Sequence, residues 1–214
     1  MSAVTVATTD LRAETRRRIE QAALDLFLRE GFEQVTIDQI AEAAGIGRRT
    51  FFRYFATKAD AAWGEFDGHV RRLAVLLAEA PVDRPVLDAI CSAYVAVNDY
   101  AGDELPVLRE RMRLILTEPA LLAHSQLRYA AIDDVVARYV AGRTGATADG
   151  LLPRLVATGA RAAATTAFEV WLAGRTPSLA EALRTAFAEL TAGFPSLRSQ
   201  AMEALPTSSA RFHG

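Results

Sequence analysis

Apolar positions along this chain recur at intervals of three and four residues from one end to the other, with no convincing stretch of strict alternation. That periodicity predicts an all-α protein of about nine helices. The first, over 10–30, lines up Ile19, Ala22, Ala23, Leu26 and Phe27 on one face and stops at Gly31, with Phe32 and Val35 packing the link that follows. Thr36 has the chemistry of an N-cap, and Gln39 three residues on completes a capping box for a short second helix. Ile37, Ile40 and Ala41 are its apolar face. Gly45 ends it, because glycine takes a left-handed backbone conformation without a Cβ penalty. A third helix runs from about 47 to 55, with Phe51, Phe52 and Phe55 on its apolar side. Arg49, Thr50, Arg53 and Tyr54 lie on the other side.

Thr57 opens a fourth helix, expected to run unbroken to about 79 and so to join two domains mechanically. Further helices are expected over about 84–100, 104–116, 119–142 and 147–172. Ser178 with Glu181 reads as a capping box for a ninth helix ending by Gly193, and Pro195 onward can hold one more turn. The expected organisation is a helix-turn-helix domain at 10–56, a larger helical domain at 57–205, and flexible tails at 1–9 and 206–214.

Residues 36–55 carry the chemistry: two short helices joined tightly, the second rich in arginine and aromatics. Side chains near the N-terminus of such a second helix reach base edges in the major groove. Arginine pairs in bidentate fashion with guanine O6 and N7, so Arg48 and Arg49 are the base-reading candidates. Arg49 points outward on an ideal wheel, whereas Arg48 falls nearer the buried face. The alternative for Arg48, Arg49 and Arg53 is a solvated basic face. Tyr54 can donate its hydroxyl to a phosphate, Arg53 joins it on the outward face, and Lys58 sits beside a helix start that already attracts phosphate. Arg12, Arg16, Arg17 and Arg18 either follow a phosphate strand or form a solvated surface.

The helix, the Gly-Phe link, T-I-x-x-I-A-x-x-A-G-I, the R-x-T-F-F-R-Y-F run and the lysine just beyond together resemble the N-terminal domain of the TetR family of bacterial regulators, over residues 12–66. The resemblance implies a three-helix DNA-binding domain, a helical ligand-binding domain and a homodimer. It places base contacts on Arg48 and Arg49, and phosphate contacts on Thr36, Thr50, Tyr54 and Lys58. Phe52 departs from the family's common tyrosine, so a phosphate contact through that hydroxyl is not available. GIGRRTFFRYF followed by WGEFD is also similar to a narrower actinobacterial subgroup, the regulators associated with mycofactocin gene clusters. That likeness implies an acyl-CoA-type effector.

Charge complicates the DNA reading. The 214 residues carry a net charge of −2, and residues 1–60 hold nine Arg and Lys against nine Asp and Glu. Affinity for DNA must therefore come from a local patch. The lone Cys91 excludes an intramolecular disulfide and a cysteine-built metal site. His69, His124 and His213 show no metal-type spacing, and no G-x-S-x-G, P-loop or dinucleotide fingerprint is present. The expectation is a protein that is no enzyme and has no cofactor or metal. The polar start and the lack of a spanning apolar run point to the cytoplasm with no membrane partner.

Ala157, Ala160, Ala164 and Ala167, then Leu183, Phe187 and Leu190, give the last two long helices small and apolar faces. They are expected to form a four-helix contact between two copies, the alternative being burial within one subunit. A dimer suits a short reading helix, because a twofold pair reads two half-sites. Phe66, Tyr94, Tyr100, Met112, Leu116, Tyr129, Phe168 and Trp171 are the candidate walls of an effector pocket, each with plain core as its alternative. Arg109, Arg111 and Arg113 flank Met112 and either meet an anionic effector or form a solvated face. Trp63 either couples the two domains or simply packs. The expected function is a ligand-responsive repressor that binds a palindromic DNA operator as a homodimer and is released by a small apolar or acyl-type molecule. An effector-independent regulator or activator is the alternative, with a helical-bundle enzyme or carrier behind it.

Overall fold

The computed structural model describes residues 3–100 and 102–194, with side chains from Leu11 onward. Among them are ten α-helices and no strands. In order they are α1 (Ala3–Glu30), α2 (Ile37–Ala43), α3 (Arg48–Phe51), α4 (Lys58–Trp63), α5 (Phe66–Ala78), α6 (Val86–Val97), α7 (Leu105–Thr117), α8 (Pro119–Thr144), α9 (Leu151–Leu172) and α10 (Leu179–Ala192). The chain forms two compact units, one of Met1–Val75 with Asp99–Val135, the other of Leu76–Asn98 with Val136–Gly214. The division does not follow the expected 56/57 boundary: α4, α7 and much of α8 belong with the first three helices.

In the first unit α1 packs on α2, α4 and α7. Of the predicted stripe, Ile19, Ala23, Leu26 and Phe27 are buried and Ala22 half-buried, and Leu24, outside that stripe, is buried too. The helix reaches back to Ala3, into the segment expected to be a tail. Phe32, Val35, Ile40, Ala41, Phe51 and Phe55 complete this core. Full burial of one such phenylalanine contributes about 1.5–3 kcal/mol.

The expected long fourth helix is two helices. Gly64 breaks it with φ 62° and ψ −139°, a conformation that side-chain-bearing residues rarely adopt. A Cβ at this position would also lie 2.7 Å from Nη1 of Arg111. Arg111 donates from that nitrogen to the Ala62 carbonyl at 2.7 Å, so its guanidinium occupies the corner that the break opens. This corrects the solvated-face reading of Arg111. Its guanidinium faces inward toward buried Glu20, and burial pulls its pKa down. Burial likewise raises the Glu20 carboxyl, against the lowering pull of Arg16 and Arg111. Trp63 is buried and packs edge-on to Phe66 and Tyr129 at 4.9 and 5.6 Å.

In the second unit α9 and α10 pack along their length, with α6 against both. Ala157, Ala160, Ala164 and Ala167 are buried on the inner face of α9, and Leu183 and Phe187 on that of α10. Phe187 lies 5.3 Å from the ring of Tyr94 on α6, and a Cβ on Gly159 would touch Leu190 at 3.6 Å. Six of the seven expected contact residues are thus buried within one subunit, the alternative reading, and Leu190 is half-buried. Small side chains let α9 approach its own neighbour, α10, and that approach hides them. The outward stripe of α9 consists of Leu151, Leu155, Thr158, Ala162 and Thr166, all exposed. Ser178 caps α10 through Glu181 N at 3.1 Å, and Gly193 ends it in the left-handed conformation. The expected turn from Pro195 and the tail at 206–214 lie outside the described residues. No helix among the described residues is long and apolar enough to cross a membrane.

Candidate nucleic-acid interface

The capping chemistry around α2 is as the sequence implies. Thr36 Oγ1 accepts from Gln39 N at 3.3 Å, and Gln39 Oε1 accepts from Thr36 N at 2.8 Å. At the other end Ile46 N donates to Ala41 O and Gly45 N to Glu42 O, both at 2.9 Å, with Gly45 at φ 63°. This 6→1 and 5→2 pair is a Schellman closure, and it requires the left-handed glycine. The corner sets the direction in which α3 leaves. α3 spans only Arg48–Phe51, shorter than expected. The chain continues through turn bonds from Arg53 N to Thr50 O, Tyr54 N to Phe51 O and Phe55 N to Phe51 O. Its N-cap, Gly47, offers no side-chain bond, so packing of Phe51 (0% exposed) and Phe55 (3%) holds the element in place.

Arg49 is exposed, and its guanidinium has no partner among the described residues. Arg48 is also exposed, but it is engaged: Nη1 donates to Asp38 Oδ2 at 2.7 Å, and the guanidinium carbon lies 5.6 Å from the Phe52 ring centroid. Guanidinium has five N–H donors, so the pair leaves the rest of the fork unused. Asp38 carries no local signal that would mark it as the partner, since it sits ten residues away across a turn. Phe52 corrects an expectation. The helical wheel puts it on the apolar face with Phe51 and Phe55, and it is instead 46% exposed. Thr50 and Tyr54 are half-buried, and Thr36 and Arg53 exposed. The Tyr54 ring lies 5.9 Å from both the Arg12 and the Arg53 guanidinium.

Lys58, the expected phosphate cation, and Arg16, left open between a phosphate contact and a solvated surface, both have other partners. Lys58 Nζ donates to the carbonyls of Phe32, Glu33 and Val35 at 2.7, 3.2 and 3.0 Å, and lies 4.5 Å from the Phe32 ring. Its three protons are all used. Lys58 therefore fastens the start of α4 to the α1–α2 link, and the clamp reading gives way to this one. Arg16 turns inward to Glu20 (2.9 Å), the Gly64 carbonyl (3.3 Å) and Glu65 (3.4 Å), above the Phe55 ring. Arg12, Arg17 and Arg18 remain exposed.

The eight effector candidates divide between the units. Phe66, Tyr100, Met112, Leu116 and Tyr129 belong to the first, and Tyr94, Phe168 and Trp171 to the second. Phe66 meets the ring of His69 in a stacked arrangement at 6.3 Å, and burial with the nearby Arg72 charge lowers the His69 pKa to about 4. Burial raises the Tyr100 hydroxyl pKa, against the pull of Arg111. Arg128 ties α8 to Asp60 and Asp67. Burial raises the Asp60 pKa less than its bonds from Thr57 and Arg128 lower it, so its carboxyl titrates below the usual range.

A capped helix, a glycine corner and a short arginine-bearing element on a phenylalanine core define a helix-turn-helix regulator. Residues 19–60 match the family model of the bacterial regulatory proteins of the tetR family, and residues 84–195 match the MftR C-terminal domain. The chain belongs to the TetR family and is a DNA-binding transcriptional regulator, not an enzyme. It is 39% identical over 186 residues to a putative mycofactocin biosynthesis transcriptional regulator, MftR, of Mycobacterium tuberculosis, across 87% of this chain and 94% of that one. It is 33% identical over 141 residues to the regulator TcmR of Streptomyces glaucescens, covering 63% of this chain and 62% of that one. Among solved structures it resembles a putative TetR-family regulator of Syntrophomonas wolfei, with a TM-score of 0.60 and 15% identity over 91% of this chain and 98% of that one. It also resembles the Thermus thermophilus repressor FadR in complex with lauroyl-CoA, with a TM-score of 0.53 and 22% identity over 93% and 100%.

Proposed function

We propose that the protein is a cytoplasmic repressor that binds a palindromic operator as a homodimer and is released by a small apolar, acyl-type effector. The observation that carries the DNA half is the exposed Arg49 beside Arg48, on an element held by Phe51 and Phe55 behind a Schellman corner. Thr36, Thr50, Arg53 and Tyr54 supply phosphate contacts around it, with Arg12 beside Tyr54. The second copy meets the outward stripe of α9, where Leu151 is 85% and Leu155 64% exposed. Exposed leucines at helical spacing mark a surface that another apolar surface covers. The effector wall is drawn from Phe66, Tyr100, Met112, Leu116 and Tyr129, which share a unit with the reading helices. The fold shared with FadR, solved with lauroyl-CoA, supports an acyl thioester as the first compound to try. Such a ligand releases DNA only by favouring a conformation whose reading elements are wrongly spaced.

Genome-wide footprinting with purified protein tests this reading. Twofold sites with half-sites one helical turn apart, or a multiple of that, are expected. So is release of the bound fragment when lauroyl-CoA is added. Absence of sequence-specific protection overturns the DNA half. Protection that no acyl-CoA relieves moves the reading to an effector-independent regulator. Leu155→Arg is expected to give monomers in sedimentation at unchanged helix content, and a dimer that persists sinks the α9 contact.

A further inference from the structure

We infer that Phe52 is a specificity-determining residue that packs on the 5-methyl group of a pyrimidine in the major groove, beside the guanine engaged by Arg48. The inference rests on the reading of α3 as the groove-facing element. Phe52 is 46% exposed, whereas its neighbours Phe51 and Phe55 are buried. A ring left nearly half in water gives up part of the burial energy that a core position would supply. The ring is nonetheless held. It stands edge-on to Phe51 at 5.6 Å and 89°, and the Arg48 guanidinium lies 5.6 Å from its centroid. Arg48 is held in turn by Asp38 at 2.7 Å. Asp38, Arg48 and Phe52 form an ordered row across the two helices of the motif.

The Asp38–Arg48 pair is more than half exposed on both sides, and a pair of that kind adds little stability. Its consequence is orientation: one guanidinium nitrogen is anchored and the rest of the fork is free for guanine O6 and N7. A phenylalanine has no hydrogen-bonding group to offer a base edge or a phosphate. The apolar group that the major groove offers it is the pyrimidine C5-methyl, as in thymine. The separation of 5.6 Å between guanidinium and ring corresponds to between one and two base steps of about 3.4 Å. Methyl and guanine are thus neighbours along the site. Thymine and 5-methylcytosine present the same methyl, so each is compared with its own methyl-free counterpart, uracil or cytosine.

The full-length protein is used to select binding duplexes from a random pool. Affinity is then measured for the enriched duplex and for versions with deoxyuracil, cytosine or 5-methylcytosine at the thymine nearest the preferred guanine, each correctly paired. Wild type is expected to lose about fourfold on thymine-to-uracil exchange, the factor that one buried methyl supplies. It should bind 5-methylcytosine more tightly than cytosine. A preference for thymine over 5-methylcytosine assigns the unmodified base, and the reverse order the modified one. Phe52→Ala should bind thymine and uracil equally, while Phe52→Leu keeps the discrimination and shows that the element still folds. Equal binding of thymine and uracil by wild type overturns the inference, as does an undiminished uracil penalty in Phe52→Ala. A pool with no enriched sequence overturns both this inference and the reading of α3. An enriched but methyl-blind site overturns this inference alone.

Discussion

The reading surface of α2 and α3 and the junction where α1, α4 and α7 meet are both organised around arginine, with opposite results. On the surface Arg49 has no partner among the described residues, and Arg48 is restrained by one exposed carboxylate. At the junction Arg16 and Arg111 surround the buried Glu20, and Arg111 fills the space beside Gly64. An exposed guanidinium keeps its donors for a ligand. A withdrawn one must be matched by carboxylates and carbonyls, because leaving it unmatched costs several kcal/mol. Residue type alone therefore does not separate a contact with DNA from a fastener of the scaffold.

The comparison can be broken first at Gly64. Gly64→Val combines a positive φ with a collision against the Arg111 guanidinium and is expected to destabilise by about 4 kcal/mol. Urea unfolding checks this, and a loss under about 1 kcal/mol would mean the corner is not tight. Arg111→Met comes next, at about 3 kcal/mol, because the Ala62 carbonyl loses its donor and buried Glu20 loses a nearby positive charge. The sign with pH follows from Glu20, whose folded pKa is raised. A raised carboxyl contributes stability below its ordinary value of 4.5 and loses it as pH rises through the folded value. Losing the Arg111 charge raises it further, so the deficit of the variant should be largest at neutral pH and narrow toward pH 4.5. Arg49→Ala reverses the pattern, with thermal stability unchanged and specific DNA binding weaker by about 1–3 kcal/mol. An unaltered ratio of specific to nonspecific affinity would remove Arg49 from base reading. The smallest effect belongs to Thr36→Ala, about 1 kcal/mol in stability from the lost cap, read by thermal melting.

What could be read in the sequence was local. The capping box at Thr36, the glycine corner at Gly45 and the cap at Ser178 each depend on residues within a few positions of one another, and each stands where the spacing placed it. What escaped was non-local. The break at Gly64 is filled by an arginine 47 residues further on, and no periodicity records such a meeting. Lys58 stands beside a helix start that attracts phosphate, yet carbonyls of residues 32, 33 and 35 take its protons. The alanines of α9 were recognised as a close-packing face, but sequence does not say whether the partner helix is in the same chain, and here it is α10. Phe52 shows the limit of an ideal wheel: its backbone is still αR and its N–H still bonds to Arg48 O, yet its side chain lies outside the buried arc that holds Phe51 and Phe55.

The short, uncapped α3 has a bearing on how such proteins diversify. Its placement depends on Phe51 and Phe55, while the side chains that face outward carry almost none of the structural load. On the proposed reading, exchanges at Arg49 or Phe52 change which duplex is preferred while leaving foldability nearly untouched, since surface positions tolerate replacement within about half a kcal/mol. A duplicated copy can thus acquire a new genomic address in one or two steps, with its scaffold inherited intact.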